Sequence, residues 1–280
     1  RGLSGFVNAI LRSVIREQDS IGIEDLAAND IEAISFIYNI PLWLINLWIR
    51  EFGRDKTEDL CAWFNEQPKL TARINTILID IPQCLTMLNE QGWAVTQDSN
   101  YEDIIYINSH RGSLEKSEAF IKGYITFMDK ASMLVARLVN PQPGERILDC
   151  CAAPGGKSMY MATLMDNVGS LMSCDIHEHK IELMNSNADR LGASIVHTKV
   201  QDATKLPDSW NSYFDRVLVD APCSGLGILQ KKLDMRWRKQ ESILRELPPL
   251  QLAILERAAM TVKEKGYLIY STCTLNYKEN

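Results

Sequence analysis

Apolar residues in the first part of the chain recur at a helical period. Phe6, Val7, Ile10, Leu11, Val14 and Ile15 fall on one helix face, with Ser4 placed to cap it. The pattern predicts a second helix over Asp30 to Tyr38, a third from Pro41 through Phe52, and a fourth capped by Thr57 that ends before Pro68. Trp43, Trp48 and Trp63 lie on these helices, where core packing accounts for them better than base stacking does. Between 69 and 127 the pattern changes. Leu70 to Leu78 reads as a strand and Pro82 to Gln91 as a helix; Trp93 to Thr96 and Ile104 to Ile107 read as strands. A short helix over Leu114 to Phe120 and a strand over Tyr124 to Phe127 complete the order β-α-β-β-α-β. That order is ferredoxin-like, an architecture shared by many RNA-binding modules.

From Asp129 onward strands and helices alternate, which predicts a parallel sheet with helices on both faces. The helix Lys130 to Val139 stops at the breaker cluster Asn140-Pro141-Gln142-Pro143-Gly144. Strands are expected at 146–149, 170–174, 195–199, 215–219 and 267–270, with helices at 156–165, 177–191 and roughly 241–262. The expected fold class is therefore α/β: a Rossmann-like sheet over 128–280, preceded by a small ferredoxin-like α+β unit over 65–127 and a helical segment over 1–64.

Composition narrows the reading only modestly. At 280 residues the chain has room for two or three cores. No apolar run is long enough to span a bilayer and no signal-peptide pattern opens the chain, so a cytoplasmic, membrane-free protein is expected. The seven cysteines are scattered and form no Cys-x-x-Cys pair, which points to reduced thiols rather than a zinc site or a disulfide framework. A net charge of −6 argues against indiscriminate nucleic-acid binding but permits a local basic groove. The chain lacks an initiator Met and stops just past an expected strand, so a fragment of a longer product, or a chain trimmed at both ends, is expected. Nothing in the sequence sets the oligomeric state, and a monomer is the default expectation.

The densest chemistry lies in Arg146-Ile147-Leu148-Asp149-Cys150-Cys151-Ala152-Ala153-Pro154-Gly155-Gly156-Lys157-Ser158. A buried strand ends here, small residues turn the chain, and a helix follows whose first amides offer N–H donors and a positive dipole end. An ordinary strand-to-helix turn also favours glycine. The phosphate loop of nucleotide hydrolases shares Gly156, Lys157 and Ser158, although Cys151 occupies the place of its first glycine. Asp175, Asp202 and Asp220 fall at successive strand ends, where ligands of such sheets bind. Asp175 suits the ribose hydroxyls of an adenosine and Asp202 an adenine amine; a lone Asp in such a place is often only a cap. In the hydrolase reading Asp220 would hold magnesium, which leaves the adjoining Pro222-Cys223 unexplained. The last strand delivers Ser271-Thr272-Cys273-Thr274 to the same edge. The basic run from Lys231 to Lys239, with Trp237 inside it, suits a phosphate backbone and an unstacked base, or else a solvated helix entry.

On Asp149–Ser158, Asp175, Asp202, Asp220–Gly225 and Ser271–Thr274 the chain resembles the Sun/Fmu-type RNA (cytosine-5) methyltransferases, whose bacterial members modify 16S ribosomal RNA. Gly5-Phe6-Val7-Asn8-Ala9-Ile10-Leu11-Arg12 looks like the helix ending that family's NusB-related N-terminal region, so the resemblance covers nearly the whole chain. It implies S-adenosylmethionine as cofactor, held by Cys151, Ala152, Ala153, Pro154, Gly155, Gly156, Lys157, Asp175, Asp202 and Asp220. It also implies Cys273 as the nucleophile that adds to carbon 6 of cytosine and makes carbon 5 enamine-like. Asp220 would stabilise the ring adduct and Cys223 would serve product release. RNA contacts are implied for Lys231, Lys232, Arg236, Trp237, Arg238 and Lys239. Two departures stand out. Leu233 replaces the family's proline and lysines replace its arginines in the basic stretch, which keeps charge but loses bidentate geometry. The family's catalytic domain also continues past its Pro-Glu-Glu-Asn, where this chain has Tyr277-Lys278-Glu279-Asn280. A nucleotide hydrolase and a non-catalytic RNA-binding or ribosome-assembly protein remain the alternatives.

Overall fold

The computed structural model describes residues 2–17 and 31–280; Asp30, the expected start of the second helix, lies outside them. The chain divides into two compact units, Arg1–Glu66 with Asp234–Arg238, and Gln67–Leu233 with Lys239–Asn280. No single described helix is long and apolar enough to cross a membrane.

The first unit is helical: α1 (Gly2–Glu17), α2 (Ile31–Tyr38), α3 (Leu42–Phe52) and α4 (Arg54–Asn65), with the single turn Met235–Arg238. Pro41 stands at the N-cap of α3, where its missing N–H costs nothing. Leu44, Ile45 and Trp48 are fully buried, and the Trp48 ring stacks on Phe64 at 5.5 Å between centroids. Trp63, however, is 46% exposed, and the apolar face of α1 from Phe6 to Ile15 is 47–65% exposed among the described residues. Neither expected cap forms. The helix α1 already includes Ser4, and Thr57 lies within α4, where its hydroxyl donates back to the Gly53 carbonyl at 2.7 Å.

The second unit holds two sheets. The first contains β1 (Leu70–Ile74), α5 (Ile81–Glu90), β2 (Ala94–Gln97), β3 (Ile104–Ser109), α6 (Glu118–Ile121) and β4 (Ile125–Phe127). Its strands pair antiparallel in the order β2-β3-β1-β4, the ferredoxin-like arrangement. Ala72, Ile74, Ile105 and Ile107 alternate toward one face and bury against Cys84 and Leu88 of α5. The strand β1 ends at Ile74, four residues before the expected Leu78. The reason is Asn75: its carbonyl accepts from the Leu78 and Ile79 amides, and its side-chain amide donates to the carbonyls of Gly123 and Leu191, each at 2.9 Å.

The second sheet follows α7 (Lys130–Val139). Its elements are β5 (Arg146–Asp149), α8 (Gly156–Leu164), β6 (Ser170–Asp175), α9 (Glu178–Leu191), β7 (Val196–Val200), β8 (Phe214–Asp220), the long helix Ile243–Ala259 and β9 (Val262–Ser271). All pairings are parallel, in the order β7-β6-β5-β8-β9. Ile147, Leu171 and Leu218 bury against Met159 and Met161 of α8 and Met133 of α7. Leu148, Val217 and Val219 bury against Ile254 and Ala258 on the opposite face. Burial on both faces explains the continuous Val217-Leu218-Val219 run.

A polar cluster joins the two sheets. Arg73 of β1 is fully buried; it donates to the Thr163 hydroxyl at 3.1 Å and lies 5.1 Å from the Tyr160 ring centroid. Tyr160 donates to Asp103 at 2.7 Å and accepts from Arg137 at 2.6 Å, while Arg137 also pairs with Asp103. Burial lowers the Arg73 guanidinium to about 10, so it stays charged at neutral pH. Gly123 makes the tightest contact of this junction: at φ +73, a Cβ there would lie 2.1 Å from the Arg190 carbonyl oxygen. Gly123→Ala is expected to destabilise the protein by about 2–4 kcal/mol through strain and overlap. Urea unfolding followed by tryptophan fluorescence measures this, and an unchanged midpoint would mean that the junction relaxes freely.

Candidate active site

Chain order reverses at β5, which is followed on one side by β6 and β7 and flanked on the other by β8 and β9. The loops leaving β5 and β8 therefore line the crevice where doubly wound sheets bind ligands. After β5 the backbone is pinned by Cys150 N–H to the Leu218 carbonyl (2.9 Å), Ala152 N–H to Cys174 (2.8 Å) and Gly155 N–H to Ala152 (2.7 Å). Gly155 adopts φ +96, and a Cβ there would press on Met184 Cγ at 3.1 Å. Glycine is required at this point, and α8 starts at the next residue with its amides aimed at the crevice. The small residues Cys151 to Gly156 thus form a backbone cradle that suits a nucleoside-bearing ligand.

Beneath the cradle Asp149 is fully buried. Its Oδ2 accepts from the Ser158 hydroxyl at 2.7 Å, which in turn accepts from Ser173 at 2.9 Å. Burial pushes the Asp149 carboxyl up to about 7, opposed by the Ser158 hydrogen bond. Ser158 therefore faces inward, where it is unavailable to a phosphate or a magnesium ion. Asp220 accepts from Lys157 Nζ at 2.6 Å and from the Ser271 hydroxyl at 2.8 Å, so both of its oxygens are engaged by the chain itself. Neither arrangement supports the hydrolase alternative.

Asp175 ends β6. Its Oδ1 accepts from the His177 amide at 3.0 Å and lies 3.6 Å from Lys180, leaving Oδ2 for a ligand diol. Asp202 behaves as a cap: its Oδ1 takes both the Thr204 amide (2.9 Å) and the Thr204 hydroxyl (2.7 Å), and these bonds hold its carboxyl below the usual range. Cys150, Cys151 and Cys174 are pushed up by burial and stay neutral thiols.

The two remaining crevice cysteines differ. Cys223 and Cys273 lie 50 residues apart in sequence, yet their Sγ atoms are 3.2 Å apart, and the Cys273 amide donates to Cys223 Sγ at 3.2 Å. Hydrogen bonding from the Cys273 side chain, with smaller backbone contributions, brings Cys223 down to about 7 against the opposing effect of burial. The same shared hydrogen bond, with burial, raises Cys273, so the two thiols titrate as a pair that shares one proton between them. Cys273 is the more exposed of the two.

The basic run fares unevenly. Arg236 is 2% exposed and donates to the carbonyls of Phe64 (2.6 Å) and Tyr38 (3.3 Å) and to Asn65 Oδ1 (2.8 Å), all within the helical unit. This corrects the expectation for Arg236: it ties helices together and does not face solvent. Lys231 pairs with Asp129 at 2.8 Å and Arg238 with Asp234 at 3.2 Å, whereas Lys232 and Trp237 are exposed and Lys239 is half-buried.

Four contributors escaped the sequence reading. Ser271 braces Asp220, and Ser224, Gln251 and Glu279 form a buried network behind the cysteines. The Ser-Gly after Pro-Cys and the Glu-Asn after Thr-Cys were visible as neighbours of motifs; nothing local marks Gln251.

The sheet order, the glycine cradle at the switch point and the acidic strand ends define a Rossmann-like methyltransferase domain carried beside a ferredoxin-like unit. Residues 136–280 match the family described as 16S rRNA methyltransferase RsmB/F, and residues 40–112 match the RsmF/B-like ferredoxin-like domain. The chain belongs to the 16S rRNA methyltransferase RsmB/F family. The probable ribosomal RNA small subunit methyltransferase B of Bacillus subtilis (strain 168) is 38% identical over 281 residues, which cover 100% of this chain and 62% of that protein. The chain thus spans less than two thirds of the length of that curated relative. Among solved structures, PH0851 superposes with a TM-score of 0.85 at 33% identity, over 90% of this chain and 57% of that one. NSun6 from Pyrococcus horikoshii, solved with SFG, shares the fold at a TM-score of 0.77 and 22% identity, over 84% and 83% of the two chains.

The sulfur contact has a measurable consequence. Iodoacetamide labelling of Cys223, followed by peptide mass spectrometry, is expected to rise through a pH of about 7 instead of the ordinary 9.0. Cys273→Ala removes the donor and should move the profile upward. Profiles centred near the ordinary thiol value in both proteins would show that the pair does not share a proton.

Proposed function

We propose that this chain carries the catalytic machinery of an S-adenosylmethionine-dependent enzyme that methylates carbon 5 of a cytosine in RNA, with 16S ribosomal RNA as the substrate and the cytoplasm as its place of action. The observation that carries the reading is the convergence of Cys223 and Cys273, 3.2 Å apart, beside the Lys157–Asp220 pair. Covalent activation of a pyrimidine needs a nucleophile, a proton partner for it and a charge acceptor for the ring, and this cluster contains all three. The family match and the relative from Bacillus subtilis support the same reading.

The residues divide the work as follows. The cradle of Cys151, Ala152, Ala153, Pro154, Gly155, Gly156 and Lys157 holds the cofactor, with Asp175 on the ribose hydroxyls and Asp202 at the rim. S-adenosylmethionine, when bound, supplies an electrophilic methyl group. Cys273 attacks carbon 6 as its proton passes to the Cys223 thiolate. The Lys157–Asp220 pair delivers the proton that N3 takes up as charge develops there. Once carbon 5 is methylated, its proton leaves to solvent, the N3 proton returns to the Lys157–Asp220 pair, and Cys223 returns a proton to the departing Cys273 sulfur, which frees the product. Lys231, Lys232 and Lys239 on the catalytic unit, and Trp237 and Arg238 on the helical unit, are assigned to RNA; Arg236 is withdrawn from that set.

Two substitutions test the roles. Cys273→Ala is expected to abolish methyl transfer from tritiated S-adenosylmethionine to RNA, and retained turnover would remove it as nucleophile. Cys223→Ala should retain adduct formation and lose release, giving a protein–RNA band that survives denaturing electrophoresis. Absence of that band would sink the release role. Bisulfite sequencing of 16S RNA from a strain lacking the gene identifies the cytosine, and an unchanged pattern would rule that RNA out.

A further inference from the structure

We propose that Glu279 is a positioning residue: a buried carboxylate clasp that holds the Pro-Cys and Thr-Cys loops against each other and thereby sets the spacing of Cys223 and Cys273. The proposal rests on the reading of those two cysteines as reaction residues. Glu279 is 2% exposed and belongs to the short helical turn Tyr277–Glu279, beyond the last strand. Its Oε2 accepts from the Ser224 amide at 2.8 Å and Gln251 Nε2 at 2.9 Å; its Oε1 accepts from the Ser224 hydroxyl at 2.5 Å and Asn276 Nδ2 at 2.9 Å.

Each tie ends close to a sulfur. Ser224 directly follows Cys223, and Gln251 also donates to the carbonyl of Pro222, the residue before it, at 2.9 Å. On the other loop the Thr274 and Ser224 hydroxyl oxygens lie 2.7 Å apart, and the Asn276 amide donates to Thr274. The Glu279 carbonyl accepts from Tyr270 at 2.8 Å, which fixes the clasp to β9. Only an anion with two accepting oxygens satisfies this set of donors; a glutamine would turn its own NH₂ toward them. Burial alone would raise the Glu279 carboxyl, but the bonds from Ser224, Asn276 and Gln251 outweigh it and hold the group below its usual range. The carboxylate touches neither sulfur, so its action is geometric.

Position and charge predict opposite signs. The Glu279 charge raises the Cys223 pKa, so its removal by electrostatics alone would enrich the thiolate and speed thiol oxidation. Loss of the clasp would let the sulfurs part from 3.2 Å and slow it. The experiment compares the wild-type protein with Glu279→Gln and Glu279→Asp, without RNA or cofactor, treated with diamide. The azo reagent takes two protons and two electrons from the two thiols and becomes a hydrazine, and the Cys223–Cys273 disulfide is followed by mass spectrometry. Glu279→Gln is expected to slow disulfide formation by about tenfold or more, with Glu279→Asp restoring part of it. Methyl transfer is expected to show kcat lowered by about a hundredfold with little change in KM for S-adenosylmethionine, as for a misplaced reacting group. Disulfide formation at or above the wild-type rate in Glu279→Gln overturns the proposal. So does a loss in both assays that tracks only a lowered melting temperature. If Glu279→Gln does not fold, Ser224→Ala, which cuts the link between Glu279 and Thr274, carries the same comparison. Wild-type protein that transfers no methyl group but obeys the diamide expectation leaves the clasp standing and removes the functional reading instead.

Discussion

The meeting of Cys223 and Cys273 depends on the parallel pairing of β8 with β9, which sets Asp220 opposite Ser271. Parallel strands present their carboxyl ends together, so whatever follows each strand emerges on one edge of the sheet. Beyond the last rung the ladder becomes irregular but does not open. The Ala221 amide still reaches the Ser271 carbonyl, the Gly227 amide reaches the Cys273 carbonyl, and the Cys273 amide reaches Cys223 Sγ. Segments half a hundred residues apart thus arrive as one surface. The same register gives Asp220 its second hydrogen-bond donor in Ser271, leaving the carboxylate fixed between the glycine cradle and the thiols.

Much of this was legible in the residue pattern, for physical reasons. A strand buried on both faces writes a continuous apolar run, and Val217-Leu218-Val219 is one. A turn that forces positive φ calls for glycine, and Gly155 met that demand. Elements defined by periodicity and breakers were placed to within a few residues, as with Lys130–Val139 before its left-handed Asn140. The failures share a different cause. Ser4 and Thr57 are good caps by type, but helix ends depend on what the neighbouring chain satisfies. The overlong β1 reading missed Asn75, an apparently ordinary polar residue whose partners at Gly123 and Leu191 are remote in sequence. Arg236 looked like part of a basic surface because sequence records charge and not direction. Gln251 and Glu279 were invisible as a pair, since nothing local indicates that they meet.

The site also shows how a fold tolerates buried charge. Asp149, Arg73 and Glu279 are all nearly or fully buried, and each is handled differently. Glu279 is saturated with donors and remains ionised, whereas Asp149 has one hydroxyl donor and an unpartnered Oδ1, and its carboxyl rises toward neutrality. Arg73 relies on one hydroxyl and an aromatic face, with Asp103 near enough to offset part of its desolvation.

That last residue has a wider consequence. Arg73 belongs to the antiparallel sheet, but its contacts, Thr163 and Tyr160, stand on the helix whose first turn closes over the glycine cradle. The antiparallel sheet and the parallel sheet therefore share a wall. Neither sheet can be exchanged for that of a distant homologue as a self-contained cassette; a chimera would have to cut behind α8 and carry its outer face along, or strand a cation in the seam.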